Sequence, residues 1–138
     1  MTLTRRHTLM LAMGYAAAAL LPLRAAAAAE DAIAAFTGGA AVGSEGITLT
    51  APEIAENGNT VPIEVNAPGA EAIAVFAAGN PTPAVATFQF GALAASQHAA
   101  TRIRLAGTQD VIAVARMPDG SFVQASQEVK VTIGGCGG

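Results

Sequence analysis

The sequence predicts an all-β protein: an antiparallel β-sandwich with a short helix before it and a flexible glycine-rich arm after it. Beyond residue 46, short stretches of alternating apolar and polar residues recur at intervals of about 8–12 residues. Clusters of glycine, proline and asparagine separate these stretches, and no second long helical pattern follows. Roughly seven or eight strands of this kind are typical of an immunoglobulin-like sandwich, and a small barrel is the alternative.

Residues 1–29 are predicted to be an export signal and are set aside from the fold. Arg5 and Arg6 precede an apolar stretch of about 15 residues, which is shorter than the roughly 20 residues of a membrane-spanning helix. A run of alanines ending at Ala29 then forms a cleavage zone. The paired arginines indicate the twin-arginine route, which exports folded proteins. We therefore expect a periplasmic protein with no membrane segment, and a partner that lacks its own signal and is exported with this chain.

Cleavage after Ala29 would leave about 109 residues, which is the size of one domain. We assign residues 30–133 to the sandwich and residues 134–138 to the arm. This part contains four basic and ten acidic residues. Such an acidic chain is not expected to bind nucleic acid or an anionic membrane surface.

The predicted helix spans Glu30 to Phe36. Its two acidic residues lie in the first turn, where the helix dipole favours them, and Ile33 shares a face with Phe36. Gly38 and the glycine after it end the helix.

The strands follow from the alternation of side chains. Pro62 cannot donate a ladder hydrogen bond, so its strand begins or lies at a sheet edge near that position. The run from Val111 to Ala115 is the most continuously apolar and is predicted to be a central strand. In order, the predicted strands are centred on residues 47–50, 61–65, 73–76, 84–90, 99–105, 111–115, 121–123 and 128–133.

Most side chains that could carry chemistry are predicted to be ordinary surface residues. The exported part contains one histidine, His98, which is too few for a blue-copper site or a closed zinc site. It also offers no base placed to activate a nucleophile, so no catalytic residue, metal site or cofactor is predicted. The same surface role is predicted for the scattered carboxylates and the two strand arginines: Glu53, Glu56, Glu64, Glu71, Arg102 and Arg104.

Cys136 is the exception, because it is the single cysteine of the chain and lies among four glycines. Exported proteins rarely leave a lone cysteine exposed, since it oxidises or cross-links. Gly134, Gly135, Gly137 and Gly138 would supply a flexible arm without side-chain bulk. Fully extended, five residues span roughly 17 Å, so such an arm could place the thiol inside the narrow active site of another protein.

No basic residue adjoins Cys136 in the sequence, so nothing there would lower the pKa of its thiol. This favours a covalent carrier that partner enzymes activate over a catalyst. Two alternatives stay open. One is an exported structural or adhesion module that dimerises through a Cys136 disulfide, and the other is a redox enzyme that works without partners.

Several segments resemble the SoxY family, the sulfur-covalent carrier subunits of the periplasmic thiosulfate-oxidising system. The resemblance covers nearly the whole chain, and its most specific parts are the terminal Gly-Gly-Cys-Gly-Gly and the segment Ala55-Glu56-Asn57-Gly58. Further matching segments are Gly46–Leu49, Pro52–Ile54 directly before that segment, Val61-Pro62, Asn80-Pro81, Phe88, Arg102–Arg104 and Val129–Thr132.

The resemblance implies an immunoglobulin-like sandwich in a heterodimer with a SoxZ-type subunit, and it implies sulfur attachment at Cys136. It also implies three client enzymes. A c-type cytochrome links thiosulfate oxidatively to the cysteine, a metal-dependent hydrolase releases sulfate, and in many members a molybdenum–haem dehydrogenase oxidises the remaining sulfur.

Overall fold

The computed structural model describes residues 26–135. Within this range the chain forms one helix, α1, over residues 26–37, followed by nine strands. These are β1 (Val42–Gly43), β2 (Thr48–Thr50), β3 (Ile54–Asn57), β4 (Val61–Asn66), β5 (Ala72–Ala77), β6 (Ala84–Gln89), β7 (His98–Ile103), β8 (Gln109–Arg116) and β9 (Phe122–Ile133). The predicted all-β sandwich with a short N-terminal helix is confirmed.

Two sheets form the sandwich. The larger has the order β1-β9-β8-β5-β6, with β3 also paired to β9, and the smaller has the order β2-β4-β7. The long ladders are antiparallel, as predicted, but β1 and β3 both pair with β9 in parallel. Neither short strand was predicted, because two to four residues carry too little alternation to identify a strand. The apolar strand β8 lies between β9 and β5, at the centre of its sheet as expected.

Strand β4 shows how the sequence pattern becomes the core. Val61, Ile63 and Val65 alternate with exposed residues and are at most 2% exposed. They pack with the inward side chains of the other sheet, among them Ile73, Val75, Val111 and Val129. Strand β2 pairs with β4 only as far as Glu64. Pro62 therefore lies beyond the end of β2, on an open side of the sheet where its missing N–H costs no ladder bond.

Helix α1 covers the outer face of the larger sheet. The Phe36 ring packs edge-on against Phe76 and Phe122, with ring centroids 6.4 and 5.8 Å apart. Ile33 packs against the same cluster, as the predicted apolar face requires. This second layer explains why all six residues of β5 are buried, although a sheet exposed on one face would show alternation. The helix ends at Gly38, whose N–H donates to the carbonyl of Ala34 and whose φ is 67°.

The described part of α1 includes residues 26–29, which the sequence analysis assigned to the export signal. Ala29 is 4% exposed there. None of the helices in residues 26–135 is long and apolar enough to cross a membrane. Arg5 and Arg6 lie outside the described residues.

Candidate functional site

The root of the C-terminal arm is docked on the sandwich. Three backbone hydrogen bonds join segments that are far apart in the sequence. The N–H of Gly58 donates to Ile133 O at 2.7 Å, and the N–H of Leu105 donates to Gly58 O at 2.7 Å. The N–H of Gly135 donates to Leu105 O at 2.8 Å. We call the contact among Gly58, Leu105, Ile133, Gly134 and Gly135 the glycine clasp.

The clasp requires glycine for steric reasons. A Cβ on Gly58 would lie 2.4 Å from Leu105 O and 2.8 Å from Gly135 N. A Cβ on Gly134 would lie 2.3 Å from Ala106 O, and one on Gly135 would lie 2.9 Å from Leu105 O. All of these neighbours are backbone atoms, which cannot move aside as a side chain can. The three glycines therefore allow the chain segments to approach closely, and none of them has the positive φ that would itself require glycine.

Gly134 and Gly135 pack against the segment 104–106, and Gly135 is buried. The flexibility expected of these two glycines stays a prediction. A glycine-rich tail suggests mobility because glycine relaxes backbone restrictions, but the same lack of a side chain permits tight docking. Cys136, Gly137 and Gly138 lie outside the described residues.

A buried amide network fixes the clasp's partner segment, residues 104–106. Asn80, which is 2% exposed, donates from Nδ2 to Arg104 O at 2.8 Å. Its Oδ1 accepts from Ala106 N and from Gln109 Nε2, both at 2.9 Å. Gln109 in turn accepts from Gly79 N and donates to Gly107 O. Because both neighbours of Leu105 are held by one side chain, Leu105 can present its own N–H and C=O to the clasp.

Sequence reasoning assigned no role to Asn80, Leu105 or Gly58. Asn57-Gly58 reads as turn chemistry and Asn80-Pro81 as another turn, and both readings are locally correct. Their common function depends on contacts between positions 58, 80, 105 and 135, which no local pattern reports. The sequence offered one signal: Asn57-Gly58 and Asn80-Pro81 both lie in segments that resemble the SoxY family, and neither belongs to a predicted strand.

A groove of about 390 Å³ opens beside the clasp. It lies between β6 and β7, which are the edge strands of the two sheets on this side of the sandwich. Its lining residues are Asn59, Asn80, Thr82, Ala84, Val85, Arg102, Ile103 and Arg104. Arg102 and Arg104 were predicted to be ordinary exposed residues. They are exposed, but the alternation around buried Ile103 places both on the same groove.

The remaining sequence candidates do not assemble into a site in residues 26–135. His98 Nε2 lies 3.7 Å from a carboxylate oxygen of Glu64, and Arg116 Nε lies 3.5 Å from a carboxylate oxygen of Glu71. All four side chains are exposed or half-exposed. Glu53 and Glu56 are exposed. The described residues contain no group of three or more His, Cys, Asp or Glu that could hold a metal ion.

Several known proteins are similar to this chain in sequence or in fold. A model of the family described as "Sulfur oxidation protein SoxY" matches residues 33–136. The sulfur carrier protein SoxY from Chlorobium limicola f thiosulfatophilum is a similar solved structure, with 37% sequence identity and a TM-score of 0.68. That match covers 78% of this chain and 94% of the other. No match was found among curated proteins.

Superoxide reductases share the fold alone. The neelaredoxin from Ignicoccus hospitalis is 16% identical with a TM-score of 0.56, covering 64% of this chain and 81% of that one. A putative superoxide reductase from Thermotoga maritima is 21% identical with a TM-score of 0.52, covering 62% and 84%. The family match spans about three quarters of the chain, including the helix face, both sheets, the clasp and Cys136. The chain belongs to the SoxY family of sulfur oxidation proteins.

Proposed function

We propose that this protein is a periplasmic sulfur carrier that holds thiosulfate-derived intermediates covalently on Cys136 and presents them to partner enzymes. One observation carries the proposal. The family match extends to residue 136, the single cysteine of the chain, and the residue before it is docked at the rim of the sandwich. This arrangement would hold the attachment point at the surface, where an enzyme can reach it.

The chemistry follows from the thiol. Loading joins Cys136 to the outer sulfur of thiosulfate and forms a cysteine S-thiosulfonate. The reaction releases one proton and two electrons, which a thiosulfate-linking c-type cytochrome would accept. Water then displaces the sulfonate group in a sulfate-releasing, metal-dependent hydrolase, leaving a persulfide on Cys136 together with sulfate and a proton. A molybdenum–haem sulfur dehydrogenase would oxidise the persulfide sulfur where the pathway contains one.

In this proposal the chain itself supplies no catalytic group. In the described residues, the hydrogen bond from Ser121 Oγ to Asp119 Oδ1 lies in an exposed turn between β8 and β9, and no group of three or more His, Cys, Asp or Glu could hold a metal ion. Its contribution would be the covalent bond, the position of the arm and recognition by the partner. The redox and hydrolytic steps belong to the client enzymes.

The location is also part of the proposal. Residues 1–29, with Arg5 and Arg6, would direct folded protein through the twin-arginine route to the periplasm. A SoxZ-type subunit without a signal would form a heterodimer with this chain and leave the cell with it. Deleting residues 1–29 should therefore keep both subunits inside the cell, and a partner that is still exported would contradict the shared route.

The central test is replacement of Cys136. The Cys136→Ser variant should fold normally and abolish thiosulfate oxidation in a reconstituted system, because serine cannot form the sulfur–sulfur bond. As a matched control, Ser96→Cys combined with Cys136→Ser moves the thiol to an exposed loop next to His98, at the opposite end of β7 from the clasp. Activity should not return in that double variant. Undiminished oxidation with Cys136→Ser would refute the carrier proposal.

Intact-mass measurement distinguishes the carrier from a module that dimerises through its tail. Protein isolated from cells growing on thiosulfate should carry reductant-sensitive adducts of sulfur or thiosulfonate on Cys136. A population that contains only free thiol and Cys136 disulfide dimers would favour the dimerising module instead.

A further inference from the structure

Helix α1 includes residues that the sequence assigns to the export signal. Its described part starts at residue 26, whereas the predicted cleavage zone runs to Ala29. Ala29 is 4% exposed in this helix. The end of the cleavage zone is therefore also a packed part of the folded domain. The two roles require different conformations, because a peptidase cuts where the backbone is exposed and free to leave its hydrogen-bonded structure.

Ala29 belongs to the face of α1 that covers the larger sheet. It precedes Ala32, Ile33 and Phe36 by three, four and seven residues, and this spacing places all four side chains on one side of a helix. The later three pack against the apolar cluster on the outer face of that sheet. Ala29 extends this stripe by one turn and is itself buried. A cut after Ala29 would therefore remove the first residue of the packed stripe.

The exposure of the alanines falls along this turn of the helix. Ala26 and Ala27 are exposed. Ala28 is half-buried and Ala29 is buried. Unwinding the chain as far as Ala27 therefore detaches no buried side chain, whereas unwinding it through Ala29 opens part of the packed domain. Local opening costs least where the fewest buried contacts are lost, so the bond that follows Ala27 opens more readily than the bond that follows Ala29.

The alanine run offers more than one place to cut. A signal cleavage site has small residues at its last position and two positions before it. Cuts after Ala27, after Ala28 and after Ala29 all satisfy this rule. An earlier cut, after Ala26, would place Arg24 at a position that must be small. Of the three permitted cuts, only the one after Ala27 has an exposed residue at its last position.

We propose that the export signal is cut after Ala27, so that the mature chain begins at Ala28 and keeps Ala29 in α1. This inference rests on the proposed export by the twin-arginine route, which carries folded proteins, so that the peptidase meets a helix that is already packed. Water hydrolyses the peptide bond, leaving a carboxylate on the released signal and an amino group on Ala28. Glu30 and Asp31 then lie in the first turn of the mature helix, where its dipole favours acidic side chains.

The position of the cut can be measured on the exported protein. The full-length chain is produced in a bacterial host that has the twin-arginine route, and the intact mass of the protein recovered from the periplasm identifies its first residue. We expect Ala28. Any other first residue, such as Ala29 or Glu30, would overturn the inference and leave the proposed export intact. Absence of processed protein from the periplasm would instead refute the proposed export and this inference together.

The variant Ala29→Gln distinguishes the permitted cuts in a second way. Glutamine is not a small residue, so this substitution would abolish a cut after residue 29. A cut after Ala27 should continue as in the parent protein and again leave Ala28 as the first residue. Ala35→Gln makes the same change at an exposed position of α1 and is the matched control. Accumulation of uncut precursor in Ala29→Gln but not in Ala35→Gln would overturn the inference.

The same two variants test the packing on which the proposed cut depends. Thermal unfolding of the mature proteins is followed by far-ultraviolet circular dichroism. Ala29→Gln places a longer polar side chain at a buried position and should lower the unfolding temperature by roughly 4–8 °C, whereas Ala35→Gln should leave it nearly unchanged. Equal unfolding temperatures of the two variants would show that Ala29 is not packed in the folded domain, and would overturn the inference wherever the cut falls.

Discussion

Replacing Gly58 by alanine should disrupt the glycine clasp and destabilise the whole domain. The new Cβ would lie 2.4 Å from Leu105 O, 2.8 Å from Gly135 N and 2.9 Å from Cγ1 of Val131. Two of these neighbours are backbone atoms, so relief requires that the segments around residues 105 and 135 move apart. The clasp's three hydrogen bonds, 2.7 to 2.8 Å long, all depend on that spacing.

The expected cost combines two terms. Insertion of a methyl group into a close-packed contact costs about 1–3 kcal/mol, and each net hydrogen bond weakened adds about 1 kcal/mol. We expect a loss of about 2–4 kcal/mol from a domain whose total stability is of the order of 5–15 kcal/mol. In urea this loss corresponds to a midpoint lower by roughly 1–2 M, because the slope for a domain of this size is about 1–3 kcal/mol per M.

The assay is urea unfolding followed by far-ultraviolet circular dichroism, since the chain contains no tryptophan to serve as a fluorescent probe. Gly107→Ala is the matched control. Gly107 lies in the same loop region with an ordinary φ, and a Cβ there would meet nothing within 4 Å. Its substitution should change stability by less than about 0.5 kcal/mol. Hydrogen exchange at the Gly135 amide, which donates to Leu105 O, should become faster in Gly58→Ala. Unchanged stability together with unchanged protection of Gly135 would refute the clasp.

Two further substitutions test how the clasp and the helix are supported. Asn80→Ala removes three side-chain hydrogen bonds from a buried position. The free energy of unfolding should fall by about 3 kcal/mol, and hydrogen exchange at the Ala106 amide should become faster. A fall below about 1 kcal/mol would show that water or Gln109 replaces the lost hydrogen bonds. Phe36→Ala removes the ring that packs on Phe76 and Phe122 and should lower the free energy of unfolding by about 1–3 kcal/mol. The control Ala35→Ser changes an exposed residue of the same helix and should have little effect. Equal stability of the two variants would mean that α1 does not stabilise the sheet it covers.

The sequence predicted the elements whose structure is set locally. Strand β4 could be identified because Val61, Ile63 and Val65 alternate with polar neighbours, and the helix face because Ile33 and Phe36 are three residues apart. Strand β3 could not be identified, since its four residues acquire a strand conformation only by parallel pairing with the last residues of β9. Burial of both faces of β5 could not be predicted either, because it depends on a helix that ends 35 residues earlier.

The candidate site likewise combines features that are local in the sequence with features that depend on distant contacts. Cys136 could be predicted as the attachment site from its neighbours alone, because the pattern of four glycines around one cysteine is local, and its role stays a prediction. The clasp was not predicted, since it joins positions 58, 105 and 135 through backbone atoms that every sequence possesses. The grouping of Arg102 and Arg104 beside the arm also depends on where the edges of the two sheets meet. Glycine is ambiguous in a sequence, because its freedom in an isolated tail and its ability to pack closely have the same physical origin.

The clasp changes what the arm can do as a carrier. If residues 134–136 were all free, Cys136 could reach up to about 10 Å from the end of β9, but with Gly135 held in the clasp the cysteine is the next residue, only about 3.8 Å of backbone away. A client enzyme with a deeper active site must then either accept the rim of the sandwich, including exposed Ile133 and the β7 edge, or break the clasp by removing the Gly135–Leu105 hydrogen bond. These two modes make opposite predictions for a variant with a weakened clasp, such as Gly135→Ala. Reaction with a client that binds the rim should slow, because the thiol loses its position, whereas reaction with a client that extracts the arm should accelerate, because the enzyme no longer has to break the contact.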